Sequence, residues 1–297
     1  MVERKTVGSR IFDICNCAFL TLLAVICLYP MWHVLMGSIS DPVSLTKHYG
    51  PIVLPLGHSV EGYKVVLNNP NIGMGYANTV FYVVVGTASR MLATLIGAYI
   101  ISRRGFMFRK LLTFMMVFTM YFGGGMIPTF LVVSQLGLTK TIWGVMLPGV
   151  LSVYNTIVLR TSFNAIPPAL EESARIDGAG DMRILLNVVL PLSGAALATI
   201  TLFYVVGNWG AWYNALVYLQ DRRDLYPLQM FLREMLIEDK TTDAYMNSLS
   251  GSSANVHLIK EITKYSVIIV STLPILVVYP FIQKYFVKGV MLGSIKE

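Results

Sequence analysis

The stretch Glu171-Glu172-Ser173-Ala174-Arg175-Ile176-Asp177-Gly178-Ala179-Gly180 decides the reading of this chain, because it is a polar, charged island between two long uncharged segments, 141–159 and 184–220. A helix needs about 20 apolar residues to cross ~30 Å of hydrocarbon at ~1.5 Å per residue, and both neighbours reach that length. A membrane chain that keeps such an island presents it to an aqueous partner.

Working outward, the same pattern recurs. Further uncharged runs occupy 14–40, 65–89, 111–139 and 265–283. With 55% hydrophobic residues and only 13% charged, the composition departs from that of a soluble domain. Mean hydropathy is +0.63. The runs predict an all-α membrane protein, one bundle of six transmembrane helices over 12–36, 76–101, 109–135, 141–162, 188–217 and 264–287, with an aqueous loop at 165–187. The run from 184 is too long for one span, so its first turns belong to the loop face.

Lys and Arg collect in alternate connections. Arg4, Lys5 and Arg10 precede the first span; Arg103, Arg104, Arg109 and Lys110 join the second and third; Arg160, Arg175 and Arg183 join the fourth and fifth; Lys284, Lys288 and Lys296 follow the last. Positive charge is retained on the cytosolic side, so both termini and the loop are expected there. The connection 221–264 also carries Arg222, Arg223, Arg233, Lys240 and Lys260, but it is long and balanced by acids. The net charge of +7 therefore reflects topology and not nucleic-acid binding. The first apolar run is too long for a secretory h-region and no small-x-small site follows it, so an uncleaved first helix is expected.

Two outer connections carry local signals. Residues 41–71 are rich in Pro and Gly and predict turns and short extended pieces. From Tyr226, the residues Leu228, Phe231, Leu232, Met235 and Leu236 fall at helical spacing, and a Ser/Asn/Gly-rich stretch follows at 247–255. These segments either cap the bundle or form a platform for an extracellular partner. No metal site is expected: Cys15, Cys17 and Cys27 lie in the first apolar run without ligand spacing, and His33, His48, His58 and His257 are scattered.

The loop itself reads as helix, turn, helix. Pro167-Pro168 forces an extended entry and suits a first helical turn, Glu171 and Glu172 complement the positive end of that helix, and Gly178 supplies a sharp turn before a second helix from Asp181. Leu170, Ala174 and Ile176 are expected to face a partner, whereas Ile184, Leu185 and Val188 pack back on the bundle. An ordinary surface-lying amphipathic helix would share several of these features.

The full string Glu172-Ser173-Ala174-x-x-Asp177-Gly178-Ala179, followed after ten residues by Leu190-Pro191, resembles the loop by which permease subunits of binding-protein-dependent ATP-binding-cassette (ABC) importers dock on their ATPases. The resemblance extends over essentially the whole chain and is closest to the maltose-type carbohydrate group. Gly123-Gly124-Gly125-Met126-Ile127-Pro128-Thr129, the segment from Gly144 to Pro148, and the aromatic run from Val206 to Leu216 are similar to a subgroup for acidic oligosaccharides such as aldouronates, pectin fragments or alginate. Ser173 replaces the Ala most often found in the family, a small-for-small change.

The resemblance implies a type I importer permease whose coupling helix lies between spans four and five. Glu171, Glu172, Ser173, Ala174, Asp177, Gly178 and Ala179 would form the ATPase-coupling site. Glu172 would pair with a basic group on the ATPase, Gly178 would permit the turn, and Asp177 and Ala179 would hold the loop's shape. The implied partners are a homologous second permease, two ATPase subunits, and an extracellular or periplasmic solute-binding protein. The chain is expected to carry no catalytic residue and no cofactor, ATP and Mg being bound by the ATPases, since its 24 glycines include no Gly-Lys pair and hence no Walker A loop. Ser248–Ser252 has the look of an ATPase signature but falls on the outer side.

For the sugar path, aromatic faces and amides nominate Tyr204, Asn208, Trp209, Trp212, Tyr213 and Asn214, with Tyr154 and Asn155 second. Trp and Tyr near helix ends also form interfacial belts, which covers Trp212 and Tyr213 equally well. Arg90, inside the second span, either attracts an acidic sugar or snorkels toward a helix end. Arg222 and Arg223 would draw uronates unless Asp221 and Asp224 neutralise them. The rival function, an ion-coupled secondary transporter, would place acids at mid-membrane, where the six spans have none. A neutral maltose-type oligosaccharide is the alternative cargo.

Overall fold

In the computed structural model the backbone is described for residues 7–103, 105–238 and 253–294, and the side chains for these except 237–238, 253–257 and 281–294. Arg4, Lys5, Arg104, Lys240, Lys296 and the 248–252 signature-like stretch lie outside the described residues, as do the side chains of His257, Lys284 and Lys288. Every described regular element is helical. The chain divides into two compact units, Met1–Pro70 with Glu234–Thr272, and Asn71–Arg233 with Leu273–Glu297.

In the first unit the long helix α1 (Val7–Ser38) leads into a folded connection. Residues 41–71 were expected to be turns and extended pieces, but two short helices form there, α2 (Pro42–Lys47) and α3 (Glu61–Asn68). The reason for α2 is local: Pro42 occupies the first turn, and the Asp41 carboxylate caps it by accepting the Ser44 N–H at 3.0 Å. The connection folds back on the end of α1. The Trp32 indole donates to the Val53 carbonyl, the Ile52 N–H donates to His33 Nδ1, and Leu56 N–H donates to Ser40 Oγ. Met36, Leu45, Ile52 and Ile262 form the buried cluster beneath, so His33 is a structural acceptor.

The second unit contains α4 (Pro70–Ser102), α5 (Arg109–Tyr121), α6 (Met126–Gln135), α7 (Ile142–Met146), α8 (Val153–Asn164), α9 (Pro168–Ile176), α10 (Asp181–Ile184), α11 (Leu190–Leu192), α12 (Gly194–Trp209), α13 (Tyr213–Tyr218) and α14 (Leu228–Arg233). A π-helical turn, Leu185–Val189, joins α10 to α11. The last helix, α15 (Ser253–Ser294), runs from the first unit into the second. The helical spacing from Leu228 is realised in α14 and a π-turn at Glu234–Glu238.

Among the described residues, three helices are long and apolar enough to cross a membrane, Val7–Ser38, Pro70–Ser102 and Leu258–Pro280, and two bent pairs raise the count to five. The spans expected to be continuous at 109–135, 141–162 and 188–217 are interrupted. α5 and α6 meet at 116° across the glycine run, where Gly125 has φ +85°, a left-handed conformation that favours glycine. Between α7 and α8 the chain leaves helix at 147–152, consistent with Pro148, which lacks an N–H and disfavours helix in the residue before it. The segment Asp181–Leu192 meets α12 at 85°. A further break at 210–212 separates α12 from α13.

The buried centre at the loop end of this unit joins four elements through Ala98 and Tyr99 of α4, Leu159 and Phe163 of α8, Ile184, Leu185 and Val189 of the α10–α11 segment, and Ile200 and Tyr204 of α12. By contrast α5 buries none of its side chains, and the apolar window of α1 is wholly uncovered. Apolar faces of that extent belong against lipid or another subunit.

Candidate functional site

The polar loop is α9, a four-residue turn and α10. Pro168 sits in the first turn of α9, Glu171 is acidic near its start, and Arg175 is basic near its end, each sign matching the helix dipole. Gly178, at φ +79°, closes the helix: its N–H donates to the Arg175 carbonyl and that of Ala179 to the Ala174 carbonyl. These two bonds make a Schellman cap, whose left-handed position suits glycine. The Asp177 N–H donates to the Ser173 carbonyl.

The helix presents two faces. Leu170, Glu172, Ser173 and Ile176 are exposed, Ile176 at 86%. Glu172 makes no side-chain hydrogen bond or ion pair among the described residues. Ala174 corrects the expectation that it faces outward: it packs on the buried centre, with Ala179. Three residues along a helix return to one face, so Ala174 shares the inward side with Glu171, while Glu172 and Ile176 share the outer one. Ile184, Leu185 and Val188 pack inward as expected.

A set of contacts absent from the sequence reading fastens this loop to the end of α4. The Arg103 guanidinium donates to the Glu171 carboxylate, both side chains being about four-fifths shielded at 17% and 20% exposure. It also lies 4.4 Å from the Tyr99 ring centre. The Tyr99 hydroxyl donates to the Asp181 carbonyl at 2.8 Å, and Arg175 pairs with the Asp181 carboxylate. Thus α9 and α10 are both tied to the last turn of α4, along a groove of about 940 Å³. Arg103 and Glu171 are 68 positions apart, and a single sequence carries no signal that joins them.

The path candidates separate into groups. Asn208 donates to Thr87 Oγ1 at 3.1 Å, and Asn214 to the Val145 carbonyl at 3.1 Å. Both line a small pocket of about 20 Å³ with Tyr82, Gly86 and Arg90. Arg90 Nε is buried there without a hydrogen-bond partner among the described residues. Tyr204 lies elsewhere, its hydroxyl bonded to that of Thr94 in the buried centre. Trp209 is buried with its ring beside Tyr76. Trp212, half-exposed, carries the Arg233 guanidinium over its ring, and the exposed Tyr213 donates to Met126 Sδ. Tyr154 is exposed; Asn155 is buried, its N–H donating to the Ser152 hydroxyl that caps α8. Arg222 is held by both Asp224 oxygens, at 2.9 and 2.8 Å. Those hydrogen bonds hold the Asp224 carboxyl below its ordinary value and raise Arg222 above its own. Arg223 is exposed beside this pair. Among the described residues no cluster of His, Cys, Asp or Glu is arranged to hold a metal.

Fold and loop together define an all-helical multi-pass membrane protein whose polar loop is fastened to the end of a long apolar helix. Residues 91–292 match the family described as binding-protein-dependent transport system inner membrane component, and the chain belongs to that family. It is 40% identical over 289 residues to the polygalacturonan/rhamnogalacturonan transport system permease protein YtcP of Bacillus subtilis (strain 168), covering 97% of this chain and 99% of that one. It is 37% identical over 292 residues to protein LplC of the same organism, covering 98% and 97%. A chain from the crystal structure of a bacterial ABC transporter involved in the import of the acidic polysaccharide alginate superposes with a TM-score of 0.84 at 32% identity, covering 96% of this chain and all of that one. The protein is therefore a non-catalytic permease subunit of a carbohydrate ABC importer in the cell membrane, moving oligosaccharides. The family implies a complex with an ATPase and a binding protein, and displaces the ion-coupled carrier.

Proposed function

We propose that this chain forms one half of a six-span-per-subunit pore with a second, homologous permease, both termini in the cytosol, and passes uronate-containing oligosaccharides from a solute-binding protein to the cytoplasm. Two ATPase subunits bind ATP and Mg and close on the α9 loops. The observation that carries this reading is the outer face of α9, with Glu172 making no ion pair among the described residues beside exposed Leu170 and Ile176, while the inner face is anchored to α4. A rigid, anchored helix with an open polar-apolar face transmits a push, whereas a loosely held one absorbs it.

The acidic cargo is supported by the relative named for polygalacturonan and rhamnogalacturonan transport and by the solved transporter involved in the import of the acidic polysaccharide alginate. Within this chain, Arg90 beside Asn208 and Asn214 is the group suited to a passing carboxylate. Arg222, already paired with Asp224, is less free to serve.

The test is purification of the chain from its native membrane in mild detergent, with mass spectrometry of what accompanies it, beside a Glu172→Lys variant. A second permease and a Walker-motif ATPase should accompany the native chain, and the ATPase should be lost from the variant. An ATPase retained at full yield by Glu172→Lys refutes the assignment of this face.

A further inference from the structure

A second pocket, of about 910 Å³, opens between the α4–α5 connection and the start of α5, and neither Glu171 nor Asp181 lines it. Its walls come from Gly105, Phe106 and Met107, from Arg109, Lys110, Thr113, Phe114 and Val117 of α5, and from Arg160 of α8. Three of these side chains are cationic and none is anionic. Arg103, the first residue of the connection, has Glu171 as counter-ion, but among the described residues no carboxylate pairs with Arg109, Lys110 or Arg160. Arg160 Nε is buried with no hydrogen-bond partner among the described residues. A shielded guanidinium nitrogen without an acceptor is unfavourable, and three cations around one cavity repel each other until an anion enters.

The remaining wall is apolar and uncovered. Met107 is 81% exposed and Phe114 67%, and they continue into α5, which buries no side chain. A free phosphate or a carboxylated sugar would satisfy the cations alone. An amphiphile with an anionic head would satisfy both walls. The Lys and Arg pattern places residues 103–110 at the cytosolic rim, where headgroups lie, and basic pockets between helices at that level suit anionic lipids.

We propose that this pocket binds an anionic phospholipid, of the phosphatidylglycerol or cardiolipin class, its phosphate held by Arg109, Lys110 and Arg160 and its acyl chains laid along Phe114 and Val117. The proposal rests on the cytosolic placement of this connection given above. Because Gly105, Phe106 and Arg109 also line the groove beside α9, the bound lipid supports the segment next to the Arg103–Glu171 tie.

The test uses the chain purified with its partner subunits, delipidated by detergent exchange and titrated with fluorescent phosphatidylglycerol, with phosphatidylethanolamine and inorganic phosphate as separate arms. Wild type should bind phosphatidylglycerol at least tenfold more tightly than phosphatidylethanolamine, Arg160→Gln should reduce that preference about fivefold or more, and Arg109→Gln/Lys110→Gln should abolish it. Phosphate at millimolar concentration should not displace the lipid fully. Equal binding of both lipids, or a preference untouched in both variants, overturns the proposal. So does saturation by inorganic phosphate with no lipid retained. Variants are compared only as complexes that keep the second permease, so loss of folding is not scored as loss of lipid. Labelling of Met107→Cys by an impermeant maleimide in vesicles of each orientation reads the sidedness separately, and oligosaccharide uptake reads the transport function, so each reading can fail alone.

Discussion

Cutting the tie between Arg103 and Glu171 should uncouple ATP hydrolysis from transport while leaving the chain folded. An exposed ion pair contributes about 0.2–1 kcal/mol, and removing one member of a fully buried pair costs about 3–5 kcal/mol. With 17% and 20% of the two side chains exposed, this pair stands between those limits, and we expect about 2 kcal/mol for Glu171→Gln. Arg103→Ala also loses the guanidinium from the Tyr99 face, a further ~0.5–1 kcal/mol. At about 1.4 kcal/mol per tenfold, the population with α9 detached from α4 should rise between roughly tenfold and a hundredfold. Ala174 and Ala179 on the buried centre, and Tyr99 on the Asp181 carbonyl, remain as anchors, so the fold survives. The assay is the complete transporter in proteoliposomes with loaded binding protein, reading oligosaccharide taken up per ATP hydrolysed. Basal hydrolysis should persist while that ratio falls severalfold in either variant. Arg103→Glu combined with Glu171→Arg should recover part of the loss. An unchanged ratio in both single variants, or a swap no better than the worse single, refutes the strut.

The Gly178 turn should resist side chains on backbone grounds alone, since φ is +79° and nothing lies within 4 Å of an added Cβ. Gly178→Ala should weaken the loop by about 1–2 kcal/mol, Gly178→Asn by less and Gly178→Val by more, read as rising tryptic cleavage after Arg175; identical cleavage in all four would refute it. Arg90→Gln should reduce uptake of a uronate oligosaccharide several times more than uptake of a neutral one of equal length; a proportional loss of both would make Arg90 structural. Asp224 titrates below its ordinary value because Arg222 bonds to it. A depressed folded-state value means its contribution is full above the ordinary carboxylate value and fades as pH falls through the lower one. Amide exchange around Asp221–Tyr226 should therefore be flat from pH 8 to about 5 after correction for intrinsic rate, and accelerate below about pH 4. Asp224→Asn should flatten that acid limb, and an unaltered limb would exclude the pair as its cause.

Membrane class and the helix–turn–helix of the polar loop were both legible in the chain itself. The reason is that their causes are local. Apolar run length sets what crosses a bilayer, Pro167-Pro168 starts α9, and Gly178 ends it through bonds spanning only a few residues. The 55% hydrophobic composition carries the class without any contact being known. Interruption of the runs was half legible: the glycine triplet and Pro148 are visible, but whether a glycine run kinks a helix by 116° depends on what packs around it. The helices in 41–71 were missed because Pro and Gly counts outweighed one well-placed Asp41 cap.

What tertiary structure alone decided is which face of each helix meets which neighbour. Ala174 was expected outward and packs inward, and Glu171, read only as complementing the start of its helix, reaches back to Arg103. The partner of Asn208, Thr87, lies 121 positions away in the chain. The physical reason is the solvent. In water, the polar face of a helix points outward and its pattern announces the buried side. In a bilayer, lipid is as apolar as a protein core, so lipid-facing and bundle-facing positions look alike. The charged residues at the membrane rim break that symmetry, and their partners are set by helix azimuths that only the folded chain supplies.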